Sequence, residues 1–115
     1  MALHVGLLSP IRFDYIGIME SEDVVIALNA LAQASRLAVF RLLVQTGKEG
    51  LPAGKIAEEL DIPASSLSFH LKELHYAGLI NPRQDGRFVI YTANYGRMKA
   101  VLSFLTENCC NGSAC

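Results

Sequence analysis

A chain of 115 residues with 51% hydrophobic side chains can build one domain with a modest core, and is too short for two ordinary ones. No unbroken apolar stretch reaches the ~18–20 residues that span a bilayer, because Asn29, Gln33 and Arg36 interrupt the best candidate, Val24 to Leu43, so no membrane partner is expected. A net charge of −1 gives no global attraction for nucleic acid, yet between Asn81 and Lys99 the basic Arg83, Arg87, Arg97 and Lys99 face only Asp85.

That local excess fits either a solvated surface or a basic patch. Residues 1–20 read as an extension, because helical patterning begins only at Ser21. Met1 to Ile18 has no Lys, a single Arg and no clear apolar run before a small-residue cleavage site, which argues against a signal peptide. With no export signal and no paired-cysteine framework, the expected compartment is the reducing cytosol, where thiols stay free. The expected organisation is the extension over 1–20, a folded domain over 21–108 and a cysteine-rich tail over 109–115.

Ser21 to Ala32 places Val24, Val25, Leu28 and Leu31 at helical spacing, with Ser21 as a cap and Glu22 and Asp23 at the positive helix end. A second helix over Ser35 to Gln45 carries Leu37, Phe40, Leu43 and Val44 and is broken by the glycines of Thr46 to Gly50. Ala53 to Leu60 is a short helix after Pro52, and Asp61-Ile62-Pro63 connects it tightly to a fourth, Ser65 to Ala77, that stops at Gly78. Two extended segments follow, Leu79-Ile80 and Phe88 to Thr92, with the turn signal Asp85-Gly86 in the polar stretch between them. Tyr95 to Asn108 puts Met98, Val101, Leu102 and Leu105 on one stripe of a fifth helix.

Short helix, tight connection, second helix, then hairpin is the order of a winged helix-turn-helix, so the predicted fold is mainly α with a small β-hairpin wing. On the fourth helix Leu67, His70, Leu71 and Leu74 should pack inward, with His70 a core histidine. Ser65, Phe69, Lys72 and Tyr76 point the other way, flanked by Ser66 and Ser68. Small hydroxyls at a helix front let the backbone approach phosphates and bases, and Lys72 adds a phosphate contact. Arg87 at the wing tip reaches a groove or a phosphate, and Arg83 lies in the same basic wing. The plainer alternatives are a solvated Lys72 and a protein contact for Phe69. One recognition helix reads too few base pairs for specificity, so a homodimer on double-stranded operator DNA is expected, joined through the amphipathic first and fifth helices.

Three stretches resemble the ArsR/SmtB family of metal-responsive repressors. They are Leu31-Ala32-Gln33-Ala34-Ser35-Arg36-Leu37, the recognition-helix run Leu67 to Leu79, and the wing Arg83 to Tyr91, and the likeness covers roughly Val24 to Asn108. The resemblance implies a homodimer that blocks transcription and leaves its operator when an inducer ion binds. It carries the DNA-reading positions onto Ser65, Ser66, Ser68, Phe69 and Arg87. Gln33-Ala34 stands where the family has Asp-Pro, which predicts a less secure break between the first two helices.

The family's usual arsenic thiols have no counterpart in Leu51 to Ile56, and the last helix lacks the His and Asp of the zinc-sensing members. All three cysteines instead fall in Cys109-Cys110-Asn111-Gly112-Ser113-Ala114-Cys115. Three soft thiolates without an imidazole suit a soft trivalent ion, whereas zinc prefers a fourth ligand. The expected inducer is trivalent arsenic, with antimony as a second candidate, held by Cys109, Cys110 and Cys115 after the flexible Asn111 to Ser113 folds the last cysteine back. Alternatives are a disordered reactive tail, a thiol redox or persulfide sensor, or a cadmium or lead sensor of the same fold. An enzyme is not expected, because these cysteines follow a helix C-terminus with no basic partner nearby in sequence.

Overall fold

The computed structural model describes residues 19–115, so the expected extension over 1–20 lies, but for Met19 and Glu20, outside the described residues. The elements run α1 (Ser21–Leu31), α2 (Ala34–Thr46), β1 (Leu51–Pro52), α3 (Ala53–Leu60), α4 (Ala64–Tyr76), β2 (Ile80–Asp85), β3 (Phe88–Ala93) and α5 (Tyr95–Thr106), followed by a short turn over Cys109–Gly112. Among the described residues no single helix is long and apolar enough to cross a membrane.

Helix α1 buries Val24, Ala27 and Ala30, a stripe of step three that turns one narrow face inward. Its cap differs from expectation. Glu20 takes the extended N-cap position, Ser21 lies inside the first turn, and the Asp23 carboxylate accepts from the Glu20 backbone N–H, as one arm of a capping box does. The break before α2 is also firmer than Gln33-Ala34 predicts. The Gln33 side-chain oxygen accepts the Arg36 N–H at 2.9 Å, and Arg36 Nε donates back to the Ala30 carbonyl at 2.7 Å. A longer side chain thus does the work expected of an aspartate.

The fully buried side chains include Val39 and Leu43 of α2, Ile56 of α3, Leu67 and Leu74 of α4, and the consecutive Leu79 and Ile80. These come from α2, α3, α4 and the start of β2, so α4 is packed against several elements at once and is fixed in roll as well as position. The sheet has order β1-β3-β2 and is antiparallel throughout, with Leu51 opposite Tyr91 and Ile80 opposite Ala93. Two features depart from the sequence reading. A short β1 joins the wing, and β2 continues from Ile80 through Pro82 to Asp85 where a polar loop was expected. Proline is tolerated there because β2 is an edge strand whose free side needs no donor. The turn shrinks to Gly86-Arg87, with Asp85 paired to Phe88 and Gly86 at φ +64°, a value that suits a residue without Cβ.

Candidate nucleic-acid interface and thiol cluster

Because Leu67, Leu71 and Leu74 are buried, the opposite face of α4 must be open, and Ser65, Ser66, Ser68, Phe69 and Lys72 are all exposed on it. His70 sits between the faces, half-buried. Arg36 Nη1 lies 3.5 Å from its Nδ1, and since guanidinium only donates, this nitrogen accepts and the ring proton belongs on Nε2. Ser68, Lys72 and His75 also line a groove closed by Pro82 and Tyr91 of the wing. His75 is thus brought beside Lys72, a placement that helical spacing allows but no motif marks.

The wing divides its two arginines between tasks. Arg87 stands in the two-residue turn at the exposed tip, whereas the Arg83 guanidinium donates to the carbonyls of Lys48 and Glu49, at 3.5 and 3.2 Å, and so ties the hairpin to the loop after α2. Arg83 is thus engaged with this loop while it stays exposed.

The base of the recognition helix is tied to α5. Asn94 caps α5 by accepting the Arg97 N–H at 3.1 Å, and its Nδ2 donates to the Gly78 carbonyl at 2.9 Å. Its own N–H donates to the Leu79 carbonyl at 2.8 Å, so one asparagine joins the segment after α4 to the start of α5. At the first residue of α5, Tyr95 Oη lies 3.4 Å from the carbonyls of both Leu43 and Val44 in α2. The sequence reading did not identify this joint, although an Asn directly before a helix is an N-cap signal.

Beyond Thr106 the chain turns left-handed. Asn108, Cys110 and Asn111 take φ of 58°, 52° and 57°, and Gly112 takes 88°. Asparagine and glycine accept that region readily; Cys110 does so only because its neighbours hold it there. The Asn111 N–H donates to Asn108 at 2.9 Å, and Ser113 donates twice to the Cys110 carbonyl, at 3.0 Å from its N–H and 2.8 Å from its hydroxyl. This geometry solves the problem of adjacent cysteines, whose side chains diverge on a regular helix. The three sulfurs lie within 4.8 Å of one another, the single such group of candidate ligands among the described residues. Cys110 and Cys115 are joined as a disulfide with Cα atoms 5.8 Å apart, and Cys109 Sγ remains free at 3.4 Å from Cys115 Sγ and 4.0 Å from Cys110 Sγ. All three cysteines are exposed.

Residues 31–83 match the family model for a helix-turn-helix domain. The HTH-type transcriptional regulator YceK of Bacillus subtilis is 36% identical over 77 residues, 65% of this chain and 76% of that protein. The nodulation protein NolR of Rhizobium meliloti is 30% identical over 89 residues, 75% of this chain and 70% of that protein. Among solved structures, HlyU from Vibrio cholerae superimposes with a TM-score of 0.62 at 30% identity, over 81% of this chain and 100% of HlyU.

The chain belongs to the ArsR/SmtB family. As an ArsR/SmtB protein it is a transcriptional regulator with a DNA-binding winged helix-turn-helix, and not an enzyme. The ArsR/SmtB fold accounts for α1 to α5 and the wing, while the sulfur cluster lies after the last of these helices.

Proposed function

We propose that this protein is a homodimeric repressor in the cytosol that leaves its operator when Cys109, Cys110 and Cys115 together capture trivalent arsenic. The observation that carries this reading is the approach of three sulfurs to within 4.8 Å in a segment with no imidazole or carboxylate among them. Donor number and softness both suit a trivalent thiophilic ion, antimony included, better than zinc. Three thiols displace three hydroxides from arsenous acid and release three waters, so the capture is neutral and consumes no oxidant. The disulfide must first be reduced, which a glutathione-poised cytosol does. A solved structure described as a "possible transcriptional regulator for arsenical resistance" is 28% identical with a TM-score of 0.60, over 69% of this chain and 79% of that one, and lends support.

Exposed Val25, Ile26 and Leu28 on α1 and Leu102 and Leu105 on α5 support pairing through these helices. Helix α5 then carries the signal. Its far end leads into the thiol turn, its near end is fastened to Gly78 at the foot of the recognition helix, and its 12 residues span roughly 18 Å. Closing the thiols around an ion alters the seat of α5 and hence the spacing of two recognition helices, which must match successive major grooves. Ser65, Ser66, Ser68, Phe69, Lys72 and Arg87 supply the contacts to DNA in this reading.

A second reading, a thiol–disulfide sensor, is favoured by the Cys110–Cys115 pairing itself. Operator anisotropy with arsenite, antimonite, cadmium, zinc and peroxide, on the reduced wild type and single Cys→Ser variants, separates the two. The arsenic reading requires that every variant lose release by arsenite while keeping DNA affinity. Release by peroxide alone, with Cys109→Ser indifferent, assigns the site to the sensor instead.

A further inference from the structure

We propose that Phe69 reads the 5-methyl group of thymine in the operator. This rests on the reading above that the open face of α4 lies in the major groove. Phe69 is 55% exposed although it is a large apolar side chain, and its ring meets that of His70 edge-on, centroids 5.9 Å apart. Other exposed large apolar residues lie on α1 and α5, which the reading above pairs in the dimer, on α2 (Leu37), on the wing (Phe88, Val89) and at the far end of α4 (Tyr76), so Phe69 is the one set at the serine-rich front of α4.

Around Phe69 the surface is polar and suited to phosphate: Ser65, Ser66 and Ser68 lie just before it and Lys72 one turn after it. A phenyl ring among hydroxyls and an ammonium gains nothing from water and has no hydrogen bond to offer a base edge. In the major groove the one apolar group a base pair presents is the thymine methyl. The chemistry of the residue therefore selects its target. Ser65, Ser66 and Ser68 have small side chains, which lets the helix front approach closely enough for the ring to seat against a methyl.

Burying one methyl corresponds to about fourfold in affinity per half-site, or about 15-fold for a symmetric pair. Preferred duplexes are first selected from a random pool with the reduced full-length protein. Each thymine is then replaced by deoxyuridine, which removes the methyl and leaves pairing intact, and binding is followed by anisotropy on wild type, Phe69→Ala and Phe69→Leu. One thymine per half-site should weaken wild-type binding by the factor above when demethylated, and 5-methylcytosine there should outperform cytosine. Phe69→Ala should bind thymine and deoxyuridine alike with an unchanged salt slope, and Phe69→Leu should keep part of the preference. Wild-type indifference to every methyl, or an undiminished preference in Phe69→Ala, overturns the assignment. Binding of no duplex above background by wild type sinks the groove placement as well, and the arsenite response stands or falls separately.

Discussion

The guanidinium of Arg97 lies flat against Gly78: a Cβ on this glycine would fall 2.7 Å from Nη2 and 2.9 Å from Cζ and Nε. Gly78 also has φ +79°, so a side chain there would be penalised twice. Gly78→Ala should lower stability by ~1–2 kcal/mol from the backbone alone. A fall in urea midpoint without change of slope checks this. In the same variant, arsenite-driven release from DNA should weaken more than either arsenite binding or DNA binding taken alone, because the joint between α5 and the recognition helix is disturbed.

Asp23 is the one buried charged side chain among the described residues. Burial pushes its carboxyl above the ordinary 3.8, and the Glu20 N–H and Arg97 offset that push only in part. The folded protein therefore keeps a proton that the unfolded chain gives up. This contribution to stability is fully present below 3.8 and is lost as pH rises through the raised folded value. Asp23→Asn removes the titration, so the denaturation midpoint of wild type relative to the variant should decline as pH rises across that window. A constant difference would show the group to be unperturbed.

Oxidation should silence the arsenic response. With Cys110 and Cys115 joined, alkylation should label one cysteine, Cys109, and arsenite should neither bind tightly nor release DNA. Addition of a dithiol reductant, its excess then removed by desalting, should restore both. Thiol titration run beside operator anisotropy checks the correspondence.

Phosphate contacts announce themselves in the salt dependence. Lys72→Ala and Arg87→Ala should each flatten the slope of log affinity against log salt by about 1 per subunit. Arg83→Ala should leave that slope nearly intact and lower the thermal midpoint instead, because its guanidinium serves the Lys48 and Glu49 carbonyls.

Leu102→Glu on the exposed side of α5 should shift the protein towards monomer in sedimentation and weaken operator binding at least tenfold, since half-sites are no longer held together. The helix itself should persist, because Val101, not Leu102, faces the core.

The helices were legible because their apolar periodicity is long and each has a break after it. Leu67, Leu71 and Leu74 had to turn inward once α4 was recognised, and the open face followed. The length of β2 was not legible, because Pro82 and its polar neighbours lack a strand pattern and owe their conformation to pairing with β3. Gln33 as a cap was missed because glutamine is not among the residue types that ordinarily cap a helix, although its side-chain oxygen reaches the Arg36 N–H. The nearness of the three sulfurs was expected from their clustering in the last seven residues around Asn111-Gly112-Ser113, but not the left-handed turn that brings it about. Positive φ at Cys110 follows from the hydrogen bonds that Asn108 and Ser113 make around it, which no local propensity announces.

The sulfur turn occupies seven exposed residues past the last core helix, and none of its side chains fills the interior. Its chemistry is thereby portable. If the proposed capture holds, substitutions there would retune which ion is heard without a folding penalty, and the same seven residues transplanted behind the final helix of an unresponsive relative would carry their chemical appetite with them.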